Sequence, residues 1–148
     1  MAALGWDEVA ERFGAAPNWW VATSGPGGPH SVPVWGVVVD GVLHFYGEPG
    51  AVRSRNLAAD PRLVLHLESG SSVLIVHGSV AIGPVARDVR AVCAAYAAKY
   101  MDPTDLDYLP DATGMEQALL FTVTPTRAIA WDLGGADAME NRRWSASS

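Results

Sequence analysis

The spacing of apolar positions changes character several times along the chain, and each change marks an element. Trp6, Val9, Ala10 and Phe13 recur at helical spacing with Gly14 as a stop, which predicts a short amphipathic helix. Residues 19–24 then read as a strand, closed by the turn-rich Gly25-Pro26-Gly27-Gly28-Pro29. Residues 31–39 form a long β-branched run, Asp40-Gly41 is a strong hairpin signal, and residues 42–46 return as its partner. A basic helix over about 51–59 precedes a strand at 63–67, whose Leu63, Leu65 and Leu67 share a face. Ser69-Gly70-Ser71 turns the chain into residues 73–82, where Leu74, Val76, Val80 and Ile82 share a face with Gly78 opening a gap between them. Val85, Val89, Val92, Cys93 and Tyr96 mark a helix running to about Tyr100, followed by an acidic loop over 102–111. Two last strands are predicted at 120–123 and 128–132, separated by Pro125, before a glycine-rich tail over about 133–148.

Strands joined by hairpin-type links dominate, with helices inserted between them. That order predicts a mainly β fold with flanking helices, an antiparallel barrel and not a βαβ sheet. All 148 residues, 1–148, are read as one domain, with neither a repeat nor a linker.

Composition narrows the class. Apolar residues make up 49% of the chain and charged residues 18%, the balance of a folded globular protein. A formal charge of −6 leaves no broad basic surface, which argues against nucleic acid as a partner. Residues 14–39 carry no charge at all. Pro17, Pro26, Pro29 and Pro33 with Gly25, Gly27 and Gly28 divide that stretch into strands, so no membrane span is expected. The opening residues have no basic region of a secretion signal, and a cytoplasmic location is expected. Cys93 cannot form an internal disulfide and reads as a small buried hydrophobe.

The familiar catalytic signatures are missing. There is no phosphate-binding Walker loop and no Gly-x-Ser-x-Gly elbow, and the four histidines, His30, His44, His66 and His77, lack metal-ligand spacing. No metal is expected. Basic residues are nonetheless concentrated: Arg53, Arg55 and Arg62, three of the ten, fall within ten positions. Guanidinium forks match phosphate or carboxylate oxygens, so this turn reads either as a pocket for a small phosphorylated ligand or as an exposed arginine face. Pro33-Val34-Trp35-Gly36 interrupts a strand with a residue lacking an N–H and another lacking a side chain. It reads either as a barrel bulge with a core tryptophan or as a place where a flat heterocycle approaches the backbone.

Taken in order, Gly28-Pro29-His30, Pro33-Val34-Trp35, Asp40-Gly41, Phe45-Tyr46, Arg53-Ser54-Arg55-Asn56-Leu57, Asp60-Pro61-Arg62 and Val76-His77-Gly78 resemble the pyridoxamine-phosphate-oxidase-like flavin-binding split barrels. The closing Pro125-Thr126-Arg127-Ala128-Ile129-Ala130-Trp131-Asp132 and Arg143-Trp144 are similar to the actinobacterial branch that uses the deazaflavin coenzyme F420. The resemblance implies an antiparallel split β-barrel and a homodimer with two cofactor sites between subunits. It implies that Arg53 stands in place of a phosphate-binding lysine, with Arg55 and Asn56 in the same turn. Pro33, Val34, Trp35 and Gly36 would line the ring system, His77 and Gly78 would approach it, and Trp144 would close over the pocket. Gly47 and Ala51 stand where the family often has hydroxyl residues, and Gly36 replaces a bulkier one, which would enlarge the ring pocket.

The activity implied is an F420-dependent reductase, passing hydride from the reduced deazaflavin to an electron-poor double bond of a small organic substrate. Tyr46, His77 or solvent would supply the proton. FMN in the same pocket is the first alternative; a non-catalytic flavin- or haem-binding protein is the second. F420 carries a phosphodiester and an acidic polyglutamate tail, an extended anion that Arg53 and Arg55, with Arg62 or the pair Arg142-Arg143, would neutralise.

Overall fold

A computed structural model describes residues 3–134 and 140–147. The helix α1, Trp6–Ala15, buries Val9, Ala10 and Phe13, the face that the spacing predicts. Eight strands follow: β1 Trp19–Gly25, β2 Gly28–Val34, β3 Gly36–Val39, β4 Val42–Gly47, β5 Arg62–His66, β6 Ser72–Val85, β7 Leu119–Asp132 and β8 Arg142–Ser145. Helix α2, Val52–Ala59, lies between β4 and β5, and helix α3, Arg90–Lys99, lies between β6 and β7. Among the described residues no helix is long and apolar enough to cross a membrane.

All strand pairs are antiparallel, in the order β2-β1-β5-β6-β7-β4-β3, with β8 added beside β7. The two end strands of that order, β2 and β3, are consecutive in the chain with only Trp35 between them. Two Cα–Cα steps span about 7.6 Å at most, so the sheet must curl until its edges nearly meet. The result is a barrel left unpaired along one seam. Residues 31–39 are therefore not one bulged strand: the chain leaves one edge at Val34 and enters the opposite edge at Gly36.

Helix α3 fastens this seam. Tyr96 donates its hydroxyl to the Trp35 carbonyl at 2.8 Å, and Lys99 Nζ donates to the Gly36 carbonyl at 2.6 Å. Tyr100 Oη accepts from the Gly36 N–H at 3.0 Å and lies 2.8 Å from the Pro17 carbonyl, to which it donates. Backbone groups that cannot pair across the split are satisfied in this way. At the other end of β3, Asp40 and Gly41 take φ of 50° and 77°, and Val39 pairs with Val42, the two-residue turn that Asp-Gly favours.

Three further elements differ from the periodicity reading. The helix expected from Val85 begins only at Arg90, after a 3₁₀ turn over Ala86–Asp88. Pro125 does not end a strand: β7 runs through it, because the register shifts there and Pro125 sits opposite Gly78. A Cβ on Gly78 would lie 2.5 Å from the Thr124 carbonyl, so glycine allows this bulge to close. Cys93 is only half-buried, with Sγ 3.6 Å from the carbonyls of Ala86 and Arg87.

The barrel interior holds Phe13, Trp19, Val21, Leu43, Phe45, Leu57, Leu65, Leu74, Val76 and Phe121. A second core, with Val37, Val92, Tyr96, Tyr100 and Leu120, seats α3 outside the barrel.

Candidate cofactor site

Helix α2 is short and its entry is bare. Its N-cap, Ala51, offers no side chain to the first turn, and no acidic residue lies there. The leading N–H groups of a helix lack intrahelical partners, so an uncapped start favours an anion. Arg53 and Ser54 sit in this turn, folded back over β4. Arg53 Nη2 donates to the Tyr46 carbonyl at 3.3 Å, while Arg53 Nε and Ser54 Oγ are buried without a hydrogen-bond partner. A Cβ on residue 47 would stand 3.0 Å from both Arg53 Nη2 and Ser54 Oγ. Gly47 thus keeps open a small space that both polar groups adjoin. Positions 47 and 51 offer no hydroxyl, and Ser54 Oγ lies beside Gly47.

A cleft of about 400 Å³ opens beside this turn, lined by Asn18, Pro33, Val34, Trp35, Tyr46, Arg53 and Tyr108. Trp35 forms its aromatic wall, stacked on Tyr100 at 4.3 Å between ring centroids and met edge-on by Tyr108 at 6.2 Å. Tyr46 donates its hydroxyl to the Tyr108 carbonyl. Burial pushes the Tyr46 hydroxyl up to about 12, so it stays protonated, and burial lowers the Arg53 guanidinium from its ordinary value. Among the described residues no carboxylate lines the cleft. A half-buried cation with a buried orphan donor and no carboxylate beside it suits a phosphate.

The structure brings four of the sequence-predicted site residues together here: Pro33, Val34, Trp35 and Arg53. The others lie elsewhere. A Cβ on Gly36 would sit 2.3 Å from the Trp19 indole, so the flat ring that Gly36 admits is the protein's own, and its small size does not enlarge the cleft. Asn56 is buried and donates Nδ2 to Thr23 Oγ1 at 3.1 Å, which ties α2 to β1. Arg55 is exposed. Arg62 closes a double hydrogen bond on Asp60, and Arg142 one on Glu8, so neither is a spare cation. His77 and Gly78 line a groove of about 690 Å³ on β5, β6 and β7. Trp144 packs against Trp6, with ring centroids 4.8 Å apart and the rings tilted by 41°.

Register explains the separation. Pro33, Trp20, His66, Ile75, Ile129 and Arg143 lie opposite one another in turn across six strands, on the outer face. Pro33 and the β7 residues are four strand spacings apart, about 19 Å along the sheet. Ser54, Tyr46 and Tyr108, which join Arg53 at this turn and cleft, carry no sequence pattern that marks them for a site; the signal for Ser54 is its place inside the arginine turn.

Among the described residues no group of three or more His, Cys, Asp or Glu is placed to hold a metal ion. Compared with known proteins, the sequence matches the pyridoxamine 5'-phosphate oxidase family over residues 6–132. The chain belongs to that family. Among solved structures, this family member is similar to the conserved hypothetical protein Rv2991 from Mycobacterium tuberculosis, at 21% identity and a TM-score of 0.71, over 91% of this chain and 95% of that one. It is similar to an F420 reductase at 22% identity and a TM-score of 0.63, over 80% of this chain and 94% of the other. It is also similar to a haem-binding protein from Mycobacterium smegmatis at 19% identity and a TM-score of 0.69, over 98% of this chain and 60% of that one. At these identities the likeness is one of fold, the antiparallel split barrel with flanking helices. No curated protein sequence matches the chain.

Proposed function

We propose that this protein is a homodimeric oxidoreductase that binds coenzyme F420 with its phosphate at Arg53 and Ser54 and its ring system along Pro33, Val34 and Trp35. One observation carries this proposal: the unpartnered Arg53 Nε and Ser54 Oγ, side by side over Gly47 at an uncapped helix start. Bound there, the reduced deazaflavin supplies hydride to an electron-poor double bond of a small organic substrate. The chain's part is placement. Arg53 and Ser54 fix the phosphate, Trp35 presents an aromatic wall, and Tyr46 keeps a proton at Oη on the cleft's side. Arg55, exposed one residue beyond Ser54, offers a further cation to a ligand more anionic than FMN. FMN is the second reading, favoured by Arg53 being the one guanidinium that lines the cleft among the described residues, a match for a single terminal phosphate.

The same geometry supports dimerisation. The outer rows of β1, β5, β6 and β7 carry half-buried Trp20, Val64, His66, Ile75 and Ile129, a largely apolar face with no cover among the described residues of the single chain. A two-fold axis through that face carries one chain's Pro33 edge toward the partner's β7–β8 edge. His77, Gly78 and Trp144 then come to the cofactor from the partner chain.

The test is a side-by-side titration of purified apo-protein with F420, FMN and haem, followed by absorbance and fluorescence. F420 binding tightest supports the proposal. Tighter FMN, or FMN or haem co-purifying in stoichiometric amount, overturns the deazaflavin choice.

A further inference from the structure

Trp35 is held differently from the rest of the cleft that it walls. Pro33 and Val34 are paired to β1, Tyr46 is paired to β7, and Arg53 belongs to α2. Trp35 lies between β2 and β3 and pairs with no strand among the described residues. No ladder therefore fixes the backbone that carries the aromatic wall.

Helix α3 holds it instead. Tyr96, Lys99 and the C-cap Tyr100 are spaced i, i+3 and i+4, so they share one face of the helix. The Tyr96 hydroxyl donates to the Trp35 carbonyl at 2.8 Å. Lys99 and Tyr100 take the carbonyl and the N–H of Gly36, the next residue. The Tyr100 ring lies parallel to the Trp35 indole, with 4.3 Å between centroids and 6° between planes. Tyr96 and Tyr100 are buried, at 0% and 6% exposure, so close packing keeps both rings where they are. Tyr100 covers one face of the indole and Tyr108 meets it edge-on. A flat ligand ring in the cleft must use the surface of Trp35 that these two leave free.

On the reading that the Arg53 cleft holds the cofactor, we propose that Tyr96 and Tyr100 are positioning residues for the cofactor ring, acting through Trp35. Neither tyrosine lines the cleft. Tyr96 fixes the Trp35 peptide through its hydroxyl, and Tyr100 fixes the indole through its ring. Without them the indole gains rotamers, and the wall is no longer pre-organised for a planar ligand.

F420 is the probe, titrated into the full chain and followed by fluorescence, in the parent and in Trp35→Ala, Tyr96→Phe, Tyr100→Leu and Tyr100→Phe. Trp35→Ala should weaken binding about tenfold or more. Tyr96→Phe and Tyr100→Leu should each weaken it about threefold to tenfold, and Tyr100→Phe, which keeps the ring, should recover most of the Tyr100→Leu loss. Combined with Trp35→Ala, the changes at Tyr96 and Tyr100 should cost no further affinity, although they still lower stability. A merely structural role would show the same loss of affinity in both backgrounds. Tyr96→Phe alters one oxygen and leaves the buried ring in place, so it answers even where Tyr100→Leu fails to fold. Parent-like affinity in folded Tyr96→Phe, with Trp35→Ala weakened, overturns the positioning role and keeps the cleft. Losses repeated in the Trp35→Ala background overturn it as well. Unchanged affinity in Trp35→Ala overturns the cofactor reading of the cleft, and the positioning role with it.

Discussion

Gly36 faces Trp19 so closely that a Cβ at position 36 would lie 2.3 Å from the indole carbons Cε3 and Cζ3. Trp19 is fully buried and held by its Nε1 donating to the Phe13 carbonyl at 2.8 Å, so the ring has nowhere to retreat. Gly36→Ala should destabilise the protein by about 2–3 kcal/mol through overpacking. In denaturant unfolding, Gly36→Ala combined with Trp19→Phe should lose less than the sum of the two single changes. Strict additivity would mean that the two residues do not compete for space.

Lys99 gives the seam a pH signature. Its ammonium is half-buried against Gly36 O and the rings of Trp19 and Tyr100, and burial lowers its pKa to about 8 from 10.5. The unfolded chain therefore binds the proton more tightly than the folded one does between these values. Stability should rise with pH from about 8 toward 10 as the buried charge is relieved. Above pH 10 the sign reverses, because Tyr46 is held neutral to about 12 in the fold and ionises earlier when unfolded. Chemical denaturation at several pH values checks this. Lys99→Met should flatten the rise between 8 and 10, and an unchanged rise in that variant would assign it to another group.

Asn56 and Arg62 should separate from Arg53 in their effects. Asn56→Ala leaves the buried Thr23 hydroxyl without its partner and should cost about 1–2 kcal/mol of stability, with cofactor affinity nearly kept. Arg62→Ala removes an exposed pair with Asp60 and should alter neither stability nor affinity much. Calorimetry on the two variants decides. A large affinity loss in either would move the phosphate away from the Arg53 cleft.

The dimer is tested at the centre of the outer face. Light scattering should return twice the mass of one chain, and Ile75→Glu, which puts a charge among Trp20, His66 and Ile129, should return a monomer with the same circular dichroism. A monomeric parent protein would leave that face without a partner and divide the candidate cofactor residues permanently.

Local signals carried much of the fold. Asp40-Gly41 announces its hairpin because φ above zero is required at both positions. The inward alternation of Leu63 and Leu65 is readable because one face of β5 meets the core. What the sequence hides is non-local. Pro33 to Gly36 read as a bulge, yet it is the seam, since nothing nearby tells that Val34 pairs with Trp19 while Gly36 pairs with Phe45. The Pro125 break fails for the same reason: the glycine that lets β7 continue is 47 positions away, at Gly78.

The site divides along similar lines. Arg53 stands out by charge, and Pro33 to Trp35 by an odd run in a strand. Ser54 carries no pattern of its own, and only burial beside Gly47 gives it meaning. Arg142 counted as a spare cation because Glu8, its partner, is 134 positions distant.

The phosphate position in the Arg53 cleft is the claim on which the rest turns. Fluorescence titration of F420 into the parent protein and into Arg53→Ala measures it directly. Loss of a charge-assisted contact should weaken binding by about 1.5–3 kcal/mol, roughly tenfold to more than a hundredfold, with the fold intact by circular dichroism. Ser54→Ala should follow in the same direction with a smaller loss. Unchanged F420 affinity in folded Arg53→Ala would contradict the account.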